Sequence, residues 1–205
     1  RGILIDVAGL LHEGEIAAGR DPADFPQPEY EFTPEELERA LLRQGLTIDD
    51  INPGDALLVR TGWARRFWTS NPAAPRNERM KYINNGPDEK ILPGGPGLDS
   101  RAIQWTLNIK PVLVAADAKS IEISNPFKES ERFRRPGHLS WLNSGIYMLE
   151  DVDLEEWAAD CEQLLMDERT DAALPDESCY VGTLIIQTIP VRGSGGSTVA
   201  PILVR

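Results

Sequence analysis

The sequence predicts an α/β fold, and three observations carry that prediction. A strand, turn, helix, strand order runs through the middle of the chain. A well-capped amphipathic helix precedes it. A long β-type run, Tyr180 to Val191, follows it and argues for a mixed and partly antiparallel sheet rather than a purely parallel one. With 205 residues the chain can enclose one sizeable core and need not divide. A single domain over residues 1–205 is therefore expected.

Ile3 to Val7 is a short apolar run and predicts a buried strand. Gly14 to Tyr30 is rich in Gly, Pro and charge and predicts a surface loop. Thr33-Pro-Glu-Glu36 is a capping box with proline at the first helical position. Leu37, Ala40, Leu41 and Leu42 supply the apolar face of that helix, and Gly45 ends it. Asn52-Pro-Gly-Asp55 predicts a turn into the strand Ala56–Thr61. Arg65 to Pro96 is long and irregular, as functional or disordered loops are.

Pro96-Gly-Leu-Asp99 turns the chain into a helix over Ser100–Leu107, and Pro111–Asp117 predicts a buried strand. Ile123–Pro136 reads as another polar loop, with His138 in the loop region beyond it. Asn143–Leu149 reads as extended, and Asp153 caps a short helix over Leu154–Cys161. Arg192–Ser197 is a glycine-rich turn before a closing strand, Pro201–Arg205. The chain shows no internal repeat and no low-complexity segment.

The net charge is −12, spread over helices and loops. Such a surface repels a nucleic-acid duplex or an anionic membrane, so neither is an expected partner. No run approaches the ~20 apolar residues of a membrane span. The two cysteines, Cys161 and Cys179, form no framework and lack a CxxC spacing, which predicts free thiols in a reduced, cytoplasmic setting.

Few residues advertise chemistry. The two histidines are His12, in Leu11-His-Glu-Gly-Glu15, and His138, in Arg135-Pro-Gly-His138-Leu-Ser-Trp-Leu142. A lone histidine is more often a core or surface residue than a ligand, because a ligand needs companions. His138 has a candidate companion in Glu150, twelve positions on and at a strand end. That pair supplies two ligands where a catalytic zinc takes three and an open position. No HxxxH, HxH or HExxH occurs, nor the GxSxG elbow of a serine hydrolase.

Gly193-Ser-Gly-Gly196 fits neither a P-loop nor a dinucleotide fingerprint, and a flexible connection is the simpler reading. Asp117 ends a buried strand, where either a cap or a site carboxylate belongs. Trp63, Phe67, Trp68 and Trp141 suit a pocket wall or the core equally well.

Several segments taken together resemble the cyclase family of metal-dependent hydrolases, which includes kynurenine formamidases (arylformamidases), isatin hydrolases and zinc-dependent dienelactone hydrolases. The most specific is Pro53-Gly-Asp-Ala-Leu-Leu-Val-Arg-Thr-Gly-Trp63, similar to that family's PGDVLLIRTGW. Arg1-Gly-Ile-Leu-Ile-Asp-Val7, Thr33-Pro-Glu-Glu-Leu37, Pro96-Gly-Leu-Asp99 and Ala116-Asp-Ala-Lys-Ser-Ile-Glu122 resemble further family segments. So do His138 with Asn143-Ser-Gly-Ile-Tyr-Met-Leu-Glu150, and Pro190-Val-Arg-Gly-Ser-Gly-Gly-Ser197. All run in the family's order.

The resemblance implies a swivelling β/β/α fold with mixed and antiparallel sheets and a helical layer. It implies Zn2+ or Mn2+, with His138 and Glu150 contributing to the metal centre. It implies hydrolysis of a formamide, cyclic amide or lactone by metal-activated water, with Trp63 and Trp68 against an aromatic or cyclic small-molecule substrate. It implies a homo-oligomer as well. The family's other ligands belong to an H-x-G-T-H-x-D motif followed by a catalytic histidine, and residues 1–205 contain neither. The chain opens on what reads as a strand already under way, which predicts that it is part of a longer enzyme. The alternative is a non-catalytic binding or assembly domain that has lost the metal site; a small-molecule binder using the Gly193–Gly196 turn for an anion is a third.

Overall fold

The computed structural model describes residues 1–19, 26, 29–64, 95–123, 136–168, 178–189 and 191–204. Its main sheet has six strands: β1 (Gly2–Asp6), β3 (Ala56–Arg60), β5 (Leu113–Ala116), β6 (Tyr147–Leu149), β7 (Val181–Ile185) and β8 (Ile202–Val204). Their order across the sheet is β6-β5-β3-β1-β7-β8. The first four are mutually parallel, whereas β7 runs antiparallel to β1 and β8 antiparallel to β7. The sheet is therefore mixed, as Tyr180–Val191 predicted.

Every residue of β1, β3 and β5 is buried. Central parallel strands covered on both faces read as continuous apolar runs, and GILID, ALLVR and LVAA do so until their ends turn polar. A second, two-stranded parallel sheet joins β2 (Glu31–Phe32) to β4 (Gly97–Leu98). Glu122 bridges onto Leu98 beside it.

Among the described residues five α-helices complete the fold: α1 (Val7–Ala17), α2 (Pro34–Arg43), α3 (Ser100–Ile109), α4 (Pro136–Asn143) and α5 (Glu155–Glu168). Helix α2 has the expected reciprocal cap, with Thr33 and Glu36 each satisfying the other's backbone N–H. Its face Leu37, Ala40 and Leu41 is fully buried, and each such leucine contributes about 1.5–3 kcal/mol. Leu42 faces solvent instead. Gly45 follows with φ +73°, the left-handed stop that glycine adopts without strain. Helix α3 is capped by Asp99, which accepts from Ala102 N–H at 2.6 Å, and it packs against α2 and α4. Trp141 of α4 is fully buried and donates to Thr106 of α3 at 2.8 Å, so it is a core residue.

Several boundaries differ from expectation for local reasons. Helix α1 occupies Val7–Ala17, so it takes Val7 from the expected strand and Gly14–Ala17 from the expected loop. Its glycines and acids hide its pattern, but the Asp6 side chain caps it by accepting from Gly9 N–H. His138 lies in helix α4 rather than in a loop, because that helix starts against Glu122. Helix α4 also takes Asn143, leaving only Tyr147–Leu149 extended. Helix α5 runs past Cys161 to Glu168. The strand in Tyr180–Val191 is confined to Val181–Ile185, with one further bridge from Thr188 to Val199. The Arg192–Ser197 turn lies in the connection between β7 and β8. Cys161 and Cys179 are free thiols. The segment 65–94, with Phe67 and Trp68, lies outside the described residues.

At the ends of β1 and β3 the polar residues meet. Arg60 donates to Asp6 at 2.7 Å and grips Glu155 of α5 through two nitrogens, at 3.2 and 2.8 Å. Asp6 is fully buried. Arg43 of α2 approaches the other Asp6 oxygen at 3.9 Å and pairs with Glu13 and Glu162. Gly9 leaves room for this cluster, since a Cβ there would lie 2.5 Å from Asp6 Oδ2 and 2.8 Å from Arg43 Nη1. Breaking a buried pair strands an uncompensated charge, which costs about 3–5 kcal/mol. Arg60→Met should therefore lower unfolding free energy by about that amount in urea titrations; a loss below about 1 kcal/mol would show that Arg43 alone neutralises Asp6.

Candidate functional site

The candidate site forms beyond the C-terminal ends of β5 and β6, where sites of α/β sheets commonly lie. The chain leaves β5 through Asp117, whose buried carboxylate accepts three hydrogen bonds. Thr61 N–H and Thr61 Oγ1 donate to one oxygen at 2.7 and 2.6 Å, and Gly62 N–H donates to the other at 2.8 Å. Asp117 thus acts as a clamp between the end of β5 and the turn after β3. Burial pushes its pKa up from an ordinary 3.8 to about 6, against the opposing pull of those donors.

Past this clamp, Glu122 is held by backbone pairing on both sides. Leu98 N–H donates to Ile121 O at 2.9 Å, and Ile123 N–H donates to Leu98 O at 3.1 Å. Gly97 permits the approach, because a Cβ on it would strike the Glu122 backbone. Glu122 is 1% exposed, and a buried carboxylate needs donors. Helix α4 provides them. Oε2 accepts the backbone N–H of His138 at 2.8 Å, and Oε1 lies 2.8 Å from His138 Nδ1. Gly137 is required as well, since any Cβ there would collide with Glu122 Oε2. The glutamate satisfies one of the open N–H groups of the first turn of α4 and places negative charge at its positive end.

The other side of the His138 ring faces Glu150. Nε2 lies 3.3 Å from Glu150 Oε1, with both side chains partly exposed. Glu150 follows the last residue of β6. Its loop is fixed to the end of β5 by Asp151 N–H to Ala118 O and Val152 N–H to Ala116 O, both at 3.1 Å. Glu150 and Asp151 also line an open cleft of about 1280 Å3 between β6 and the β7–β8 hairpin, with Leu142, Met148, Leu184 and Ile186 among its apolar walls.

The structure therefore brings His138 and Glu150 within 3.3 Å of each other and adds Glu122 behind the histidine. Glu122 was legible only as part of the Ala116–Glu122 segment. Its signal was a carboxylate ending the apolar Ser-Ile-Glu step after a buried strand. Trp63 is 4% exposed, packs on Ala118 and donates its backbone N–H to Thr61 Oγ1 at 3.1 Å, which puts it beside the Asp117 clamp. Trp68 lies outside the described residues.

Chemically, the line Glu122, His138, Glu150 is a carboxylate, an imidazole and a second carboxylate in series. Two ligands about 2.1 Å from one zinc at a tetrahedral angle stand ~3.4 Å apart. The 3.3 Å between Nε2 and Oε1 fits that edge. Glu122 occupies the outer position from which carboxylates orient metal-binding histidines. Among the described residues no group of three or more His, Cys, Asp or Glu could hold a metal ion. The donors seen thus fit part of a metal site.

The comparisons agree with this architecture. The Cyclase family model matches residues 1–123, and the chain belongs to that family. Among solved structures, one described as a novel cyclase is 25% identical, with TM-score 0.63 over 100% of this chain and 52% of its own. An isatin hydrolase bound to the product analogue thioisatinate is 15% identical, with TM-score 0.55, over 98% of this chain and 57% of its own. Isatin hydrolase A from Labrenzia aggregata, bound to benzyl benzoate, is 16% identical, with TM-score 0.50, over 98% of this chain and 58% of its own. The chain thus spans a little over half the length of these structures. No curated protein matches the sequence. No helix among the described residues is long and apolar enough to cross a membrane.

The burial of Asp117 makes stability depend on pH. Its folded pKa lies above its unfolded value, so its contribution to stability is fully present below pH about 4 and is lost as pH rises through about 6. The stability difference between wild type and Asp117→Asn should therefore shift against wild type across that window, measured by urea unfolding at successive pH values.

Proposed function

We propose that this chain contributes the His138 and Glu150 ligands to a zinc or manganese centre that hydrolyses an amide, cyclic amide or lactone bond. The observation that carries the reading is the 3.3 Å approach of His138 Nε2 to Glu150 Oε1, with Glu122 buried behind the ring. Membership of the Cyclase family and the fold shared with isatin hydrolases support it.

His138 would present Nε2, and Glu150 would present Oε1. Glu122 would hold the ring in place through Nδ1 and the helix backbone. A bound divalent ion supplies acidified water and a Lewis acid for the acyl oxygen. The remaining ligands and an acid–base histidine are assigned to residues outside 1–205. Trp63 and Trp68 are proposed to face a flat aromatic or cyclic substrate. The exposed Ile189, Val191, Ile202 and Val204 along the β7–β8 hairpin support a homo-oligomer, since apolar patches of this kind mark contact surfaces. A cytoplasmic location suits the two free thiols.

The alternative, a binding or assembly domain of the same fold, draws on the absence of a three-ligand group among the described residues. Elemental analysis decides between them, run on this chain and on the full-length product of its gene. The full-length protein should retain zinc or manganese and hydrolyse an arylformamide or isatin. His138→Ala and Glu150→Ala should each lower metal content at least about tenfold. No metal and no hydrolysis in the full-length protein would leave the binding domain.

A further inference from the structure

We infer that Thr61 is a positioning residue, whose hydroxyl joins the Asp117 clamp to Trp63 and so fixes the Trp63 ring beside the Glu150 loop. The purpose of this role rests on the proposal that Trp63 faces the substrate. The positioning itself stands on hydrogen bonds and packing alone.

Thr61 makes two side-chain bonds of opposite sense. Its hydroxyl oxygen lies 2.6 Å from Asp117 Oδ1, which also accepts the Thr61 backbone N–H at 2.7 Å. The Trp63 backbone N–H reaches the same hydroxyl oxygen at 3.1 Å, in a buried place. A backbone N–H can only donate, so the hydroxyl accepts there and directs its single hydrogen to Asp117. Between the two residues, Gly62 donates its N–H to Asp117 Oδ2 at 2.8 Å. It does so with φ +78°, and a Cβ on it would lie 2.9 Å from Ala8 Cβ of α1, so the turn admits only glycine. Asp117 thus holds Thr61 and Gly62 directly, and holds Trp63 through the hydroxyl.

The ring is held as closely as its backbone. Trp63 is 4% exposed and packs on Ala118. A Cβ on Gly95 would lie 3.4 Å from Trp63 Nε1 and 3.7 Å from Cε2, so Gly95 rests against the nitrogen edge of the indole. Ala118 O accepts the Asp151 N–H at 3.1 Å, so the residue under Trp63 also carries the loop of Glu150. Displacing Trp63 would therefore change the wall next to Glu150 without removing either candidate ligand.

The test compares Thr61→Val, which keeps the branched shape but loses the hydroxyl, with Thr61→Ser, which keeps the hydroxyl. Amide exchange is followed on the full-length protein carrying isotope-labelled tryptophan, with Trp63 assigned as the signal that Trp63→Phe removes. The Trp63 N–H should be protected in the wild type. It should exchange about tenfold faster in Thr61→Val, as loss of one buried hydrogen bond implies, and return towards the wild-type rate in Thr61→Ser. With an arylformamide or isatin as substrate, Thr61→Val should raise KM about tenfold and lower kcat far less, at unchanged metal content. Thr61→Ser should restore KM. A Trp63 N–H that exchanges freely in the wild type overturns the inference, even if Thr61→Val fails to fold. So does a folded Thr61→Val with the wild-type exchange rate at Trp63. Exchange as stated beside an unchanged KM keeps the positioning role and removes Trp63 from the substrate wall.

Discussion

The interaction on which the fold depends is the burial of Asp6 at the end of β1. Its carboxylate caps α1, receives Arg60 from the neighbouring strand β3 and lies beside Arg43 of α2. Arg60 carries the link on to α5 through Glu155. A charge this deep is tolerated only when its partners are in place. Elements far apart in the chain must therefore dock together for any one of them to be stable. Specific buried polarity of this kind, more than apolar area, defines the relative placement of the helices around the strand ends.

The same design recurs at the ends of β5 and β6. Asp117 clamps the turn after β3, and Glu122 clamps the start of α4. Each is a buried carboxylate in contact with one side chain and with backbone N–H groups, two at Asp117 and one at Glu122. Each ties a loop to the rigid strands, and precise sites need such support. His138 gains its orientation from this scaffold, and Glu150 gains its own from the backbone bonds that join its loop to β5. The His138–Glu150 pair is thus held from behind by groups that face inward.

Family membership and site geometry speak to different questions. The Cyclase match and the shared fold with isatin hydrolases define the architecture. Folds host many chemistries, so function has to be argued from the site. Here the site offers one histidine and one glutamate in a bonding relation that a metal could replace. The chain covers 52–58% of the length of the compared structures.

Much of the fold is legible in the order of residues. The capping box at Thr33, the apolar runs of β1, β3 and β5, the stop at Gly45 and the pairing of His138 with Glu150 can all be read there. These are local signals or carried by an ordered set of motifs. Helix α1, the helical setting of His138 and the shortness of β7 cannot, because their cause lies elsewhere in the chain. Asp6 caps a helix that composition hides, and Glu122, sixteen residues away, starts the helix that carries His138. By itself the sequence determined which elements form the sheet and which two ligands stand as candidates. Only the tertiary structure decided that Glu122 backs the histidine, since a hydrogen bond between distant residues leaves no period or spacing to read.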